Sequence, residues 1–217
     1  MVKQIVIVTY NGFKLLSNLL NDIKKFNVPN NEVCVVDNNS SNIDHLSFLK
    51  KLEKEDYKIL YNLKGGFELS AYKYALDNLT ADVWFLLQDS LRIKKDIFSE
   101  ITPLLTDKNV YSLLTFNCGL WDNRDDITFM LMNFGTTKYS KAGWPSCYFA
   151  SNSVFQKVKN DWLLPKTKIE AMAMERGVSI IFDKYDIEIK NIEGTYEPNK
   201  SGSDEYKYFQ KFYGGRV

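Results

Sequence analysis

An α/β fold, with a Rossmann-like, mostly parallel twisted sheet flanked by helices and a smaller, less regular region in the second half, is what this sequence predicts. Three observations carry the prediction. Short β-rich runs alternate with longer helical patterns through the first half, the mark of βαβ units with right-handed crossovers. The run Val83-Trp84-Phe85-Leu86-Leu87 is apolar throughout, as in a strand buried on both faces. Four successive runs end in polar groups: Thr9-Tyr10-Asn11, Asp37-Asn38-Asn39, Asn62 with Lys64-Gly65-Gly66, and Gln88-Asp89-Ser90. In a parallel sheet such ends share one edge, the edge at which ligands bind.

Residues 4–9 form the first strand, and 15–26 repeat apolar side chains at helical spacing. Residues 32–37 form the second strand, after which Ser40 or Ser41 caps a helix carrying Leu46, Leu49 and Leu52. The third strand, 58–61, leads through the glycine pair into a helix over 68–78, and the fourth strand spans 82–87. A helix over 97–105, disturbed near Pro103, then precedes a strand at 110–116. The acidic turn Asp122-Asn123-Arg124-Asp125-Asp126, read as a solvated loop, precedes an apolar strand at 128–134. Ser151 or Asn152 caps a helix through Val158, and 167–176 is a helix stopped by Gly177 in left-handed conformation. Short strands follow at 179–182 and 187–189. Residues 197–203 read as a linker, and the aromatic and basic tail over 206–217 docks as a C-terminal helix or closes over a bound ligand. The plan is one domain over 1–196, with halves at 1–95 and 96–196, and a linker and tail over 197–217.

The 217 residues are 45% hydrophobic and 25% charged, enough to bury a substantial core. Lys plus Arg total 28 and Asp plus Glu 27, a net charge of +1 with no strongly basic segment, so the electrostatic footprint of a nucleic-acid binder is missing. The N-terminal apolar run stops at Thr9 and is too short for a signal peptide or a membrane span. Cys34, Cys118 and Cys147 are widely separated and lack CxxC spacing, which speaks against a disulfide framework and a zinc site. A reducing compartment, by default the cytoplasm, is expected. His45, the only histidine, follows Asn39-Ser40-Ser41-Asn42 at a helix start and is expected at the surface.

The first turn, Thr9-Tyr10-Asn11-Gly12, lacks the glycines of GxGxxG, and GxxxxGK[ST] occurs nowhere in the chain. A nucleotide site here is therefore built from side chains at strand ends. Asp37 suits hydrogen bonds from a base N–H or ribose hydroxyls, with Thr9 beside it; its competing role is to turn the chain and cap the next helix. Lys64-Gly65-Gly66 permits close backbone approach and offers a cation to phosphate, or is an ordinary Gly-rich turn. Asp89 is a carboxylate oriented by a rigid strand, of the kind that holds Mg2+ or Mn2+ together with substrate phosphates, or else it caps the turn at 92–96.

As a set, Val6-Ile7-Val8-Thr9-Tyr10-Asn11-Gly12, Val35-Val36-Asp37-Asn38-Asn39-Ser40-Ser41, Asn62-Leu63-Lys64-Gly65-Gly66-Phe67 and Phe85-Leu86-Leu87-Gln88-Asp89-Ser90 resemble the family 2 glycosyltransferases of the GT-A fold, over residues 4 to 190. The resemblance implies inverting transfer of a hexose or deoxyhexose from a nucleoside-diphosphate sugar to a glycan or other hydroxyl acceptor. It favours UDP by family tendency, with UDP-rhamnose and UDP-glucose as candidates, and the hint towards rhamnose is that Leu86-Leu87-Gln88-Asp89-Ser90 is similar to the rhamnosyl-transferring branch. It implies Thr9, Tyr10, Asn11 and Asp37 near the base and ribose, and Asn62, Lys64, Gly65 and Gly66 near the base and diphosphate. Gln88 and Asp89 end the fourth strand, Asp89 as the last acid of an Asp-x-Asp motif for Mn2+ or Mg2+. Leu87 stands where the first acid belongs.

The resemblance also implies a catalytic base ahead of a helix end bearing Arg or Lys and Gly. Lys168-Ile169-Glu170-Ala171-Met172-Ala173-Met174-Glu175-Arg176-Gly177 matches this loosely, with Glu170 as the base. Glu175 is less suited, since it can simply pair with basic neighbours or solvent, and both glutamates fit the wet face of an amphipathic helix. Trp121 and Trp144 offer indole faces to sugar rings, with packing as the simpler role. One rival reading is a sugar-phosphate nucleotidyltransferase, opposed by the lack of a Gly-rich, Arg- and Lys-bearing first turn. Another is a non-catalytic nucleotide-sugar or glycan-binding domain, motivated by Leu87. The Gly214-Gly215 end is consistent with further domains of a longer chain.

Overall fold

The computed structural model describes residues 1–118, 124–194 and 203–212. Trp121, Asp122 and Asn123, residues 197–202 of the linker, and the tail beyond Phe212 with Gly214 and Gly215 lie outside the described residues. The first half runs β1 (Lys3–Thr9), α1 (Phe13–Lys24), β2 (Val33–Asp37), α2 (Ile43–Glu53), β3 (Lys58–Tyr61), α3 (Glu68–Asn78), β4 (Val83–Gln88) and β5 (Leu91–Ile93). The second continues α4 (Ile97–Ile101), β6 (Asn109–Asn117), α5 (Arg124–Phe134), β7 (Lys141–Ser151), α6 (Asn152–Val158), α7 (Lys168–Lys184), β8 (Glu188–Asn191), β9 (Ser203–Glu205) and β10 (Phe209–Phe212).

Seven strands form one sheet in the order β3-β2-β1-β4-β7-β6-β8. Strands β1 to β4 are mutually parallel, and β8 is parallel to β6; β7 alone runs antiparallel to its neighbours. The expected mostly parallel sheet flanked by helices is the observed architecture. Both faces are buried. Ile5, Ile7, Val35 and Phe85 pack under α1 and α2, whereas Val6, Cys34, Trp84 and Leu86 pack under α3 and α7. Fully burying a side chain of this size contributes about 1.5–3 kcal/mol, so the central strands hold the sheet together. Register then levels the strand ends: Thr9 pairs with Asp37, Asp37 with Tyr61, and Val8 with Gln88.

The second half departs from the sequence reading in several places. Residues 128–134 belong to helix α5, because Asp126, Phe129, Met130 and Phe134 turn inward at helical spacing and Met130 is fully buried. Residues 179–182 continue α7 in place of a strand, with Met174, Val178, Ile181 and Phe182 on one buried stripe. Gly177 therefore lies inside the helix, where a Cβ would stand 2.7 Å from the Phe134 ring; it lets α5 and α7 approach closely and caps nothing. Asp126 is buried against Arg176, 3.5 Å away, and is no part of a solvated loop. His45 is fully buried, its Nε2 3.3 Å from Asp37 Oδ1, and not at the surface.

Four strands, β5, β7, β9 and β10, went unread. Strand β5 joins β10 and β9 in a small antiparallel sheet, so the described part of the tail is a strand and not a docked helix. Strand β7 contains Gly143 and Pro145, residue types that weaken a strand pattern. Between Trp144 and Tyr148 its pairing with β6 shifts register, and that irregular stretch accommodates a proline with no N–H to donate. Gly143 has its own reason: a Cβ there would stand 2.7 Å from Tyr148 and 2.9 Å from Ser112 Cβ. Ser112 Cβ is fixed to β6 and cannot swing away. Gly143→Ala is therefore expected to cost about 1–3 kcal/mol of overpacking, read as a lower denaturation midpoint at unchanged m.

Candidate active site

The levelled ends of β1 to β4 open into a cleft of about 830 Å³. Tyr10, Lys64, Gly65, Gly66 and Gln88 line it, together with Asn38, Asn39, Phe67, Glu68 and Ser90 from the same edge. Trp144 of β7, Lys168 and Glu175 of α7, Lys166 ahead of α7, and Lys211 of β10 close the far side. Four lysines thus face two carboxylates across one opening, a setting that attracts an anionic ligand.

The other strand-end residues form the wall behind the cleft. Thr9 is fully buried and donates its hydroxyl to Asp89 Oδ2 at 2.8 Å. Asn11, at φ 53°, accepts from Ser41 and Asn42 amides at 2.9 Å and donates its own N–H to Ser40 Oγ, tying the end of β1 to the loop after β2. Asp37 accepts from the Ser40 amide at 3.1 Å. Burial pushes its carboxyl up, but His45 and Ser40 outweigh this and hold it below the usual carboxylate range. Asn62 donates to Asn38 Oδ1 at 2.8 Å and to the Gly65 carbonyl at 3.0 Å, and Asn38 donates to the Gly66 carbonyl. These amides pin the loop whose backbone reaches the cleft, and Gly65 and Gly66 carry φ of +64° and +106°, which side chains rarely adopt.

The two glutamates of α7 separate. Glu170 sits in the first turn: its amide donates to the Thr167 cap at 3.2 Å and its carboxylate accepts from the Lys166 amide at 2.6 Å. It faces a second cavity, of about 650 Å³, with Leu163, Leu164, Phe129 and Ile169. Glu175 lines the main cleft. Removal from water pushes its carboxyl up to about 7, and Glu68 adds to the rise against the pull of Arg176, Lys168 and Lys211. Lys168 and Glu175 are seven residues apart, two turns along one stripe of a helix, which is the sequence signal that links them.

Residues 4–90, the segment that builds this edge, match the glycosyl transferase family 2 model. Over this segment the chain is similar to glycosyl transferase family 2. Solved structures agree on the fold. S. aureus TarS is 15% identical with a TM-score of 0.56, over 89% of this chain and 36% of its own. The mannosyltransferase PcManGT from Pyrobaculum calidifontis, in complex with GDP-Man and Mn2+, is 12% identical with a TM-score of 0.59, over 92% of this chain and 58% of its own. Glucosyl-3-phosphoglycerate synthase from Mycobacterium tuberculosis, with Mn2+, UDP and phosphoglyceric acid, is 14% identical with a TM-score of 0.57, over 91% of this chain and 70% of its own. The chain thus spans less than two thirds of the length of the first two. No curated protein matches the sequence.

The cleft shows no metal clamp: among the described residues no group of three or more His, Cys, Asp or Glu side chains is placed to hold an ion. Leu87 is fully buried in the core. Asp89 is also fully buried, held by Thr9, with Oδ2 2.7 Å from where a Cβ on Gly12 would stand at the start of α1. Its charge is stabilised there by the positive end of the helix. The expected Mn2+ or Mg2+ would find one engaged carboxylate at the end of β4, and the residues present do not fit it. Among the described residues no helix is long and apolar enough to cross a membrane.

The glycine loop gives a direct test of the wall. Gly66→Ala would place a Cβ 2.9 Å from Ser70 Cβ at a φ of +106°. The expected result is a loss of about 1–3 kcal/mol in thermal or denaturant unfolding, with weaker nucleotide binding by calorimetry.

Proposed function

We propose that this protein transfers a glycosyl group from a nucleoside-diphosphate sugar to a hydroxyl acceptor. The observation that carries the reading is the cleft at the ends of β1 to β4, where four lysines surround a carboxyl raised to about 7. The family match over the same strands supports it. A UDP-hexose or UDP-deoxyhexose is the donor we favour, with UDP-glucose and UDP-rhamnose as candidates; S. aureus TarS is solved with UDP and UDP-GlcNAc. The acceptor is a glycan or another small hydroxyl compound.

In this reading the base and ribose lie over Tyr10, Asn38 and Asn39, with Asp37 holding the loop beneath them. The diphosphate lies against the Lys64-Gly65-Gly66 backbone and the lysines. Glu175 takes the acceptor's hydroxyl proton as that oxygen attacks the anomeric carbon, and the bond from that carbon to the diphosphate oxygen breaks. One displacement inverts the anomeric centre. The diphosphate leaves with its electron pair and an added negative charge, which the basic side of the cleft stabilises. Glu175 is better placed for this role than Glu170, whose carboxylate is engaged at the helix start. Trp144 lines the acceptor side of the same opening.

The test is release of nucleoside diphosphate from a panel of nucleotide sugars and hydroxyl acceptors. Turnover with one donor is expected; binding without release from any donor would favour the non-catalytic reading. Glu175→Gln should lower kcat by about 10²–10⁴-fold while donor binding persists, and Glu170→Gln should stay within a few-fold of the parent. A base works when ionised, so kcat/KM should rise with pH through an acid limb near 7, and that limb should vanish in Glu175→Gln.

A further inference from the structure

A departing nucleoside diphosphate needs fixed positive charge beside it. The end of β4 meets that need with an amide, a hydroxyl and a lysine where a metal site would present paired carboxylates. The lysine arrives from the far end of the chain. Strand β10 pairs antiparallel with β5, setting Phe209 against Ile93 and Lys211 against Leu91, and the Phe212 amide donates to the Ser90 carbonyl at 3.0 Å. Alternation puts Phe209 and Lys211 on one face. Phe209 is fully buried and stacks on Tyr206 with ring centroids 4.7 Å apart, so it anchors the strand that delivers Lys211.

Lys211 Nζ donates to Gln88 Oε1 at 2.6 Å and to Ser90 Oγ. The residue is only 8% exposed, yet it lines the main cleft beside Lys64 and Lys168. Lysine is seldom buried to this degree without a role for its charge. The turn before β10 is itself clamped, since the Lys207 and Tyr208 amides both donate to the Glu193 carboxylate. The ammonium is therefore fixed in place at low entropic cost, which is what preorganised stabilisation of a leaving group requires.

On the nucleotide-sugar reading of the cleft, we propose that Lys211 binds the donor's diphosphate at the end of β4, steadied by Gln88 and Ser90, in the place of a divalent metal. The site takes nucleoside diphosphates without added cation. Leu87 is then explained: a first acid there would serve a metal that the site does not use, and its fully buried place in the core suits an apolar side chain. Asp89 has a different task, holding Thr9 and the start of α1 together behind the cleft.

The test is calorimetric titration of the full chain with UDP, GDP, CDP and dTDP, in EDTA and again with Mn2+, for the parent, Lys211→Gln and Lys211→Arg. One nucleotide should bind in EDTA, with Mn2+ changing its Kd less than about 3-fold. Lys211→Gln should weaken that nucleotide about 10-fold or more, roughly 1.4 kcal/mol, and leave the matching nucleoside unaffected. Lys211→Arg, which keeps the charge, should retain most of the metal-free binding, and unchanged thermal unfolding of both variants would show that β10 is intact. Binding that appears only with Mn2+, or equal diphosphate affinity in Lys211→Gln, overturns the role of Lys211 while leaving nucleotide binding standing. No binding of any nucleotide under either condition overturns the nucleotide-sugar reading itself, and the role of Lys211 with it.

Discussion

The parallel register of β1 with β2 and β4 is the constraint on which the rest of the molecule depends. Thr9 meets Asp37, Asp37 meets Tyr61 and Val8 meets Gln88, so four chain segments stop at one level and release four loops on one side. Side chains alternate between two buried faces along each strand, so a slip by one residue would exchange every core contact. The apolar runs on both faces make that slip costly. The position of the cleft thus follows from the burial of Ile5, Ile7, Trp84 and Phe85, far from any ligand-facing atom.

Electrostatics then decide what the edge can do. The buried carboxylates behind it are all engaged: Asp37 with His45 and Ser40, Asp89 with Thr9, and Asp126 with Arg176. They serve as rigid fittings that hold loops and helices in register. The groups left facing the opening are lysines and two glutamates, and removal from water, with Glu68 adding to it, raises Glu175 into the range where it can exchange a proton at neutral pH against the pull of the lysines. Cations supplied by three separate segments, at Lys64, Lys166 with Lys168, and Lys211, make the cleft a property of the whole fold.

Much of this was legible in the sequence. The first four strands and their polar ends were readable because a buried parallel strand must be apolar throughout and must stop where its loop begins, as Val83 to Leu87 do before Gln88. The second half was harder for a physical reason: its elements take their form from tertiary contact. Helix α5 could pass for a strand because Phe129-Met130-Leu131-Met132 is an unbroken apolar run although Leu131 and Met132 face outward, and Gly177 looked like a stop signal because its partner, the Phe134 ring, is distant in sequence. His45 looked superficial until Asp37 stood opposite it. Lys211 and Glu175 were the least legible of all. Glu175 stood only as the less suited of two glutamates, and nothing local marks Lys211 as a cleft residue; β10 must first pair with β5, and α7 must run unbroken past its glycine.

The most direct measurement is a crystal structure of the protein with UDP. The account predicts the diphosphate against the Lys64-Gly65-Gly66 backbone and within hydrogen-bonding reach of Lys211 at the end of β4, with Glu175 facing the open side. A nucleotide seated instead in the cavity between α5 and α7 beside Glu170, or a diphosphate turned away from the ends of β3 and β4, would contradict it.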